Sequence, residues 1–110
     1  HRMPLPAEVE TFSKALGRRA HDLSALNEDL EDIAAVLSLI DEYVGVSNTN
    51  VHIRAGLGKT ARVLVPFPPE FRWMHAGGES PWFPGLHIYR QTAGRDWRSV
   101  LDLLREDLNR

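Results

Sequence analysis

Two short valine-rich runs, Val44-Gly45-Val46 and Val63-Leu64-Val65, flank a polar turn and a segment containing alanine and glycine. No other stretch limits the fold as much. β-Branched runs favour strands, and the chain between them is too long for a hairpin turn but long enough for a crossover helix. Residues 43–66 therefore predict a strand, a tight turn, a short helix and a second strand parallel to the first. The helix of such a unit starts at the carboxyl edge of the sheet, where free N–H groups and small polar side chains attract anions.

The rest of the chain adds elements around this unit. Residues 1–6 read as an irregular lead-in with two prolines, and Val9, Phe12, Ala15 and Leu16 then recur at helical spacing up to Gly17, a C-terminal stop. That helix is expected to pack one face on a sheet. Residues 20–23 are read as a short strand. Leu30, Ile33, Ala34, Leu37 and Ile40 mark an amphipathic helix, with Asp29, Glu31 and Asp32 at its start, where the helix dipole favours negative charge. Residues 67–85 hold four prolines and three glycines, which exclude long regular elements and leave one helical turn near residues 70–74. A strand over residues 86–91 follows, then a turn with Asp96 as N-cap. Trp97, Val100, Leu101, Leu104 and Leu108 complete a C-terminal helix. The expected architecture is α/β: one domain over residues 1–110, with a mostly parallel sheet of about four strands and helices on both faces.

Composition narrows the function classes. A chain of 110 residues, 43% hydrophobic, suits one small core. Its formal net charge of -2 gives no bulk attraction to nucleic acid or to an anionic membrane. Cysteine is absent, so the chain has no disulfide framework, thiolate nucleophile or cysteine-ligated zinc. The five histidines lack the i, i+4 spacing of a helical metal site, and no metal or cofactor is implied. No apolar run approaches membrane-spanning length and no signal-peptide pattern opens the chain, so a soluble cytoplasmic protein is expected.

Two segments are expected at the ligand-binding edge of the sheet. The first offers Asn48, Thr49, Asn50 and His52 within one helical turn, a set of donors matched to phosphate oxygens. The same residues also fit a structural role, in which Asn48 or Thr49 caps the helix and His52 is partly buried. The second segment is the loop at residues 67–85, dense in aromatics. Its Trp73 and Trp82 are candidates to stack on a base or sugar, and Arg72 to supply positive charge. Tryptophans in loops also plug small cores, and an arginine beside aromatics also stacks at the surface. The sequence Gly56-Leu57-Gly58-Lys59-Thr60 resembles the tail of a phosphate-binding loop but follows a helix rather than preceding one, which excludes an ATPase of that type. No serine sits in a nucleophile elbow.

Val44-Gly45-Val46-Ser47-Asn48-Thr49-Asn50-Val51-His52, followed by Ala55-Gly56-Leu57-Gly58-Lys59 and Val63-Leu64-Val65-Pro66, resembles the nucleotide-sugar-binding half of bacterial GT-B glycosyltransferases of the heptosyltransferase-like group. Phe71-Arg72-Trp73, Glu79-Ser80-Pro81-Trp82-Phe83-Pro84 and Tyr89-Arg90-Gln91 look like the ends of tetratricopeptide-repeat proteins that carry such a domain. The likeness runs from about Asp22 onward. It implies a small Rossmann-like, three-layer domain that binds a nucleotide-diphosphate sugar. Asn48, Thr49 and His52 would line the diphosphate, with Asn50 at the helix start. Many members of the group have Asp where this chain has Asn48, so no carboxylate role is carried over. GT-B enzymes bind donor and acceptor between two such domains, and this chain has room for one. The resemblance therefore implies a carboxyl-terminal part of a larger protein, inactive alone, whose partners are an amino-terminal acceptor domain and a repeat domain. The alternative is a non-catalytic interaction module that keeps the fold, and self-association would be a further way to cover the surface left open.

Overall fold

The computed structural model describes residues 5–110, and the first four residues of the lead-in expected over residues 1–6 lie outside them. The chain divides into two compact units, one ending at Val36 and the other Leu37–Arg110.

In the first unit, helix α1 spans Pro6–Leu16. The Glu8 carboxylate accepts from the Leu5 N–H at 3.0 Å, and Gly17, at φ 69°, ends the helix by donating to the Lys14 carbonyl. α1 buries none of its side chains, contrary to the expectation that it packs on a sheet; Phe12 is 59% exposed. The strand expected over residues 20–23 is also absent. Ser13 Oγ accepts the Ala20 N–H, and Asp22 Oδ1 accepts both the N–H and the hydroxyl of Ser24. Side chains thus engage the segment locally and start a 3-10 turn at Ser24–Glu28, the behaviour that makes Ser and Asp poor strand residues. Helix α2, Leu30–Leu39, begins behind Asp29, whose Oδ1 accepts the N–H groups of Glu31 and Asp32.

The second unit holds the sheet, which has three strands and not about four. They are β1 at Val44–Val46, β2 at Arg62–Val65 and β3 at His87–Arg90, all parallel and in the order β1-β2-β3. Helix α3, Thr49–Gly56, connects β1 to β2, and helix α4, Arg98–Leu108, follows β3. The period-2 alternation of strand side chains divides the core in two. On one face Val63, Val65 and Ile88 pack with Ala61, Leu86, Val51 of α3 and Trp73 of the long loop. On the other, Leu64 and Tyr89 pack against Trp97, Val100 and Leu104 from the α4 segment. Each fully buried Val or Leu contributes about 1.5–3 kcal/mol, so these small clusters hold the unit together.

Two arginines complete the framework. Arg54, 2% exposed, donates to the carbonyls of Thr60, Leu37, Ile40 and Asp41. It thereby satisfies carbonyls at the end of α2 that have no helical partner, and places a cation at the negative end of the helix dipole. Arg62 donates to the Tyr89 hydroxyl at 2.7 Å, and that hydroxyl donates to Asp107 of α4 at 2.8 Å. Burial, with the Asp107 hydrogen bond, holds the Tyr89 phenol above its ordinary value. Among the described residues no helix is long and apolar enough to cross a membrane.

Candidate functional site

α3 starts immediately after the carboxyl end of β1, and its first turn shows why Asn precedes it. Asn48 is extended, at φ -159° and ψ 179°, and its Oδ1 accepts the Val51 N–H at 3.2 Å. The Tyr43 hydroxyl donates to the same oxygen at 3.5 Å. The Asn48 carbonyl oxygen of the amide side chain is therefore committed to the cap. Thr49 is exposed and Asn50 half-buried.

His52, one turn along α3, points at aromatic rings. Its ring lies edge-on to Phe83 with centroids 4.9 Å apart, and 6.4 Å from Trp73. An open cleft of about 300 Å³ runs beside it, lined by His52, Ala55 and Gly56 on the α3 side and by Trp82, Phe83 and Pro84 on the loop side. The i, i+3, i+4 spacing of the α3 residues puts them on one stripe, and the small Ala55 and Gly56 leave room for a flat group.

The loop between β2 and β3 does more than sit at the carboxyl edge. It is tied there by the Phe67 N–H, which donates to Gln91 Oε1 at 2.8 Å. It then drops Trp73 into the core from a 3-10 turn at Phe71–Trp73 and runs along the outer edge of β3, where the Gly78 carbonyl accepts the Ile88 N–H at 3.0 Å. Arg90 clamps it by donating to the carbonyls of Trp73, Met74, Ala76 and Gly77. Ser80 adds a second tie by donating to the Arg72 carbonyl and accepting the Trp82 N–H. Met74 sits at φ 60° and ψ -177°, a conformation natural to glycine, and persists because its neighbours are held this firmly.

The candidate residues consequently separate. Trp73 is 1% exposed and belongs to the core; its Nε1 is buried without a hydrogen-bond partner. Trp82 is 59% exposed and edge-on to Phe71, itself 63% exposed, at 5.8 Å. Arg72 pairs with Glu70 and lies over the Phe71 ring at 4.6 Å, and it is not among the residues that line the cleft. His52 and Trp82, 30 positions apart in the chain, meet at the cleft, while Asn48, Thr49 and Asn50 lie outside its lining. Sequence reasoning missed Phe83 and Pro84 as the cleft's other wall and Arg90 as the loop's clamp. Among the described residues no cluster of three His, Asp or Glu side chains is placed to hold a metal ion. Comparisons with protein-family models, with curated proteins and with solved structures found no match.

Proposed function

We propose that this chain is the nucleotide-sugar-binding half of a bacterial GT-B glycosyltransferase, a Rossmann-like three-layer domain working in the cytoplasm beside an acceptor-binding domain and a repeat domain. One observation carries the reading. His52, from the Asn-Thr-x-x-His segment, and Trp82, from the Ser-Pro-Trp-Phe-Pro segment, line a single cleft although the motifs are far apart in sequence. The diphosphate would take the exposed Thr49 hydroxyl and the start of α3, with His52 beside it, and the base or sugar would lie against Trp82. An amide at Asn48 caps the helix as well as the carboxylate found in relatives of the group would, so this departure leaves donor binding intact. Sugar transfer also needs an acceptor and a base held in register with the donor. The chain alone should bind and not turn over.

Calorimetry with UDP, ADP and GDP sugars tests the reading. One class of donor is expected to bind, with Thr49→Ala and His52→Ala each weakening it by about tenfold, the loss of one good charge-assisted hydrogen bond. Absence of binding for every donor rejects it. A second reading, a non-catalytic interaction module, is favoured by the exposed Phe71 and Trp82 pair, since aromatics of this kind anchor protein interfaces. It gains if Trp82→Ala leaves donor binding unchanged.

A further inference from the structure

Among the described residues one buried side-chain nitrogen or oxygen lacks a hydrogen-bond partner, the indole Nε1 of Trp73. Leaving an N–H donor both dry and unpaired forfeits its hydration with nothing in return, so such atoms are few in folded proteins. Trp73 is poorly placed to move toward a partner. Its ring is packed in the core with Val63, Val65, Leu86 and Ile88, and Arg90 holds its carbonyl together with those of Met74, Ala76 and Gly77. The partner has to come to the indole.

One polar ring stands beside it. The centroids of His52 and Trp73 are 6.4 Å apart, with the planes at 37°. Two flat rings joined edge to edge by an N–H···N bond, with about 3 Å between nitrogens, have centroids roughly 5–6 Å apart, so a turn of the imidazole that shortens the separation by about 1 Å reaches that arrangement. The imidazole is free to make it. His52 is half-buried, its ring contacts are with Phe83 and Trp73, and among the described residues none is hydrogen-bonded to either of its nitrogens. Phe83, edge-on to His52 and 5.1 Å from Trp73, completes a cluster of three rings. His52 and Phe83 line the cleft, and the buried Trp73 backs them.

We propose that Trp73 is a positioning residue for His52: its Nε1–H donates to one imidazole nitrogen, and this bond fixes the tautomer that faces the cleft. A neutral imidazole has one nitrogen that accepts and one that donates, and a hydrogen bond at either settles the role of the other. Once one nitrogen accepts from the indole, the proton stands on the other. His52 then offers the cleft an N–H donor. The remaining lining residues, Ala55, Gly56, Trp82, Phe83 and Pro84, carry no titratable side chain and no side-chain acceptor. The cleft therefore selects a ligand that brings an acceptor, such as a phosphate or carbonyl oxygen, over one that brings only N–H donors. That the acceptor belongs to a diphosphate rests on the nucleotide-sugar reading; the indole–imidazole pair does not.

Nuclear magnetic resonance on the intact, nitrogen-labelled chain tests the pair without any ligand. The Trp73 indole proton should resonate downfield of those of Trp82 and Trp97 and exchange slowly, and the two His52 nitrogens should give the separate signals of a single tautomer. His52→Phe keeps a ring against Phe83 and Trp73 but offers no acceptor. It should move the Trp73 indole proton upfield and speed its exchange by about tenfold. Trp73→Phe should bring the two His52 nitrogen signals toward a common average. An indole signal indifferent to His52→Phe means that His52 is not the partner of Nε1, and overturns the proposal. So does a His52 that keeps the same single tautomer in Trp73→Phe. Should that variant fail to fold, His52→Phe decides alone. In calorimetry with UDP, ADP and GDP sugars, Trp73→Phe should weaken whichever class binds by about tenfold, and unchanged affinity overturns the positioning role. Failure of every donor to bind rejects the nucleotide-sugar reading instead, and the resonance signals still decide the pair.

Discussion

Trp73 and Trp82 lie in one loop, nine positions apart, and do opposite things. Trp73 packs against Val63, Val65 and Ile88 and takes the place of the helix that usually covers a sheet between two parallel strands. Trp82 stays outside, forming a wall of the α3 cleft and an exposed pair with Phe71. A loop can therefore carry a core residue and an exposed, cleft-lining residue together, provided something other than a long helix or strand holds its backbone. Here Arg90 and Ser80 hold it.

The contrast breaks most visibly at its buried end. Trp73→Ala should destabilise the second unit by about 3–5 kcal/mol, the range for deleting a large core aromatic. Urea unfolding followed by circular dichroism measures it. Trp73→Phe sharpens the result, because it keeps an aromatic ring and removes the unpartnered Nε1 donor; the loss should be clearly smaller than for alanine. Equal losses would mean that the indole donor has a partner in solution.

The next effect is at the clamp. Arg90→Met keeps most of the apolar stem but leaves the carbonyls of Trp73, Met74, Ala76 and Gly77 to water. A destabilisation of about 2 kcal/mol is expected, together with faster exchange of the Ile88 amide as the loop leaves the β3 edge. Met74→Gly in that background should recover part of the loss, since glycine adopts φ 60° without strain. If Arg90→Met left the loop protected, the Ser80 bonds alone would be the anchor.

These effects also mark where the sequence could be read and where it could not. α2, the Gly17 stop and the turn at Phe71–Trp73 lie where periodicity and capping chemistry placed them, and the cap of α3 falls on Asn48, one of the two residues the sequence offered, because each depends on residues within a few positions. The missing strand at residues 20–23 failed for the same local reason, as Ser13, Asp22 and Ser24 offered the backbone alternative bonds. Arg54 and Arg90 were invisible because their partners are main-chain carbonyls, which no side-chain pattern encodes, and those of Arg90 lie 13 to 17 positions away. The two tryptophans were inseparable for a related reason. Trp73 follows Arg72 and Trp82 follows Pro81 in a proline-rich loop without periodicity, and only tertiary packing decides which of them turns inward.

The smallest effect on stability falls at Trp82, and it is the most informative about function. At 59% exposure the side chain loses little when truncated, so Trp82→Ala should change stability by less than about 0.5 kcal/mol, a shift of only a few degrees in Tm. Recognition should respond far more. If a base or sugar stacks in the cleft, the same substitution removes one wall, and binding of the nucleotide sugar should weaken by about tenfold, in line with the ~1–3 kcal/mol that stacking on one aromatic contributes. The same pair of measurements on Phe71→Ala separates the two uses of the surface. Phe71 touches Trp82 but does not line the cleft, so donor binding should fall little, whereas a protein partner gripping the exposed pair would feel both losses alike. Donor affinity that ignores Trp82→Ala would leave His52 as the cleft's sole contribution and move the recognition of base or sugar elsewhere.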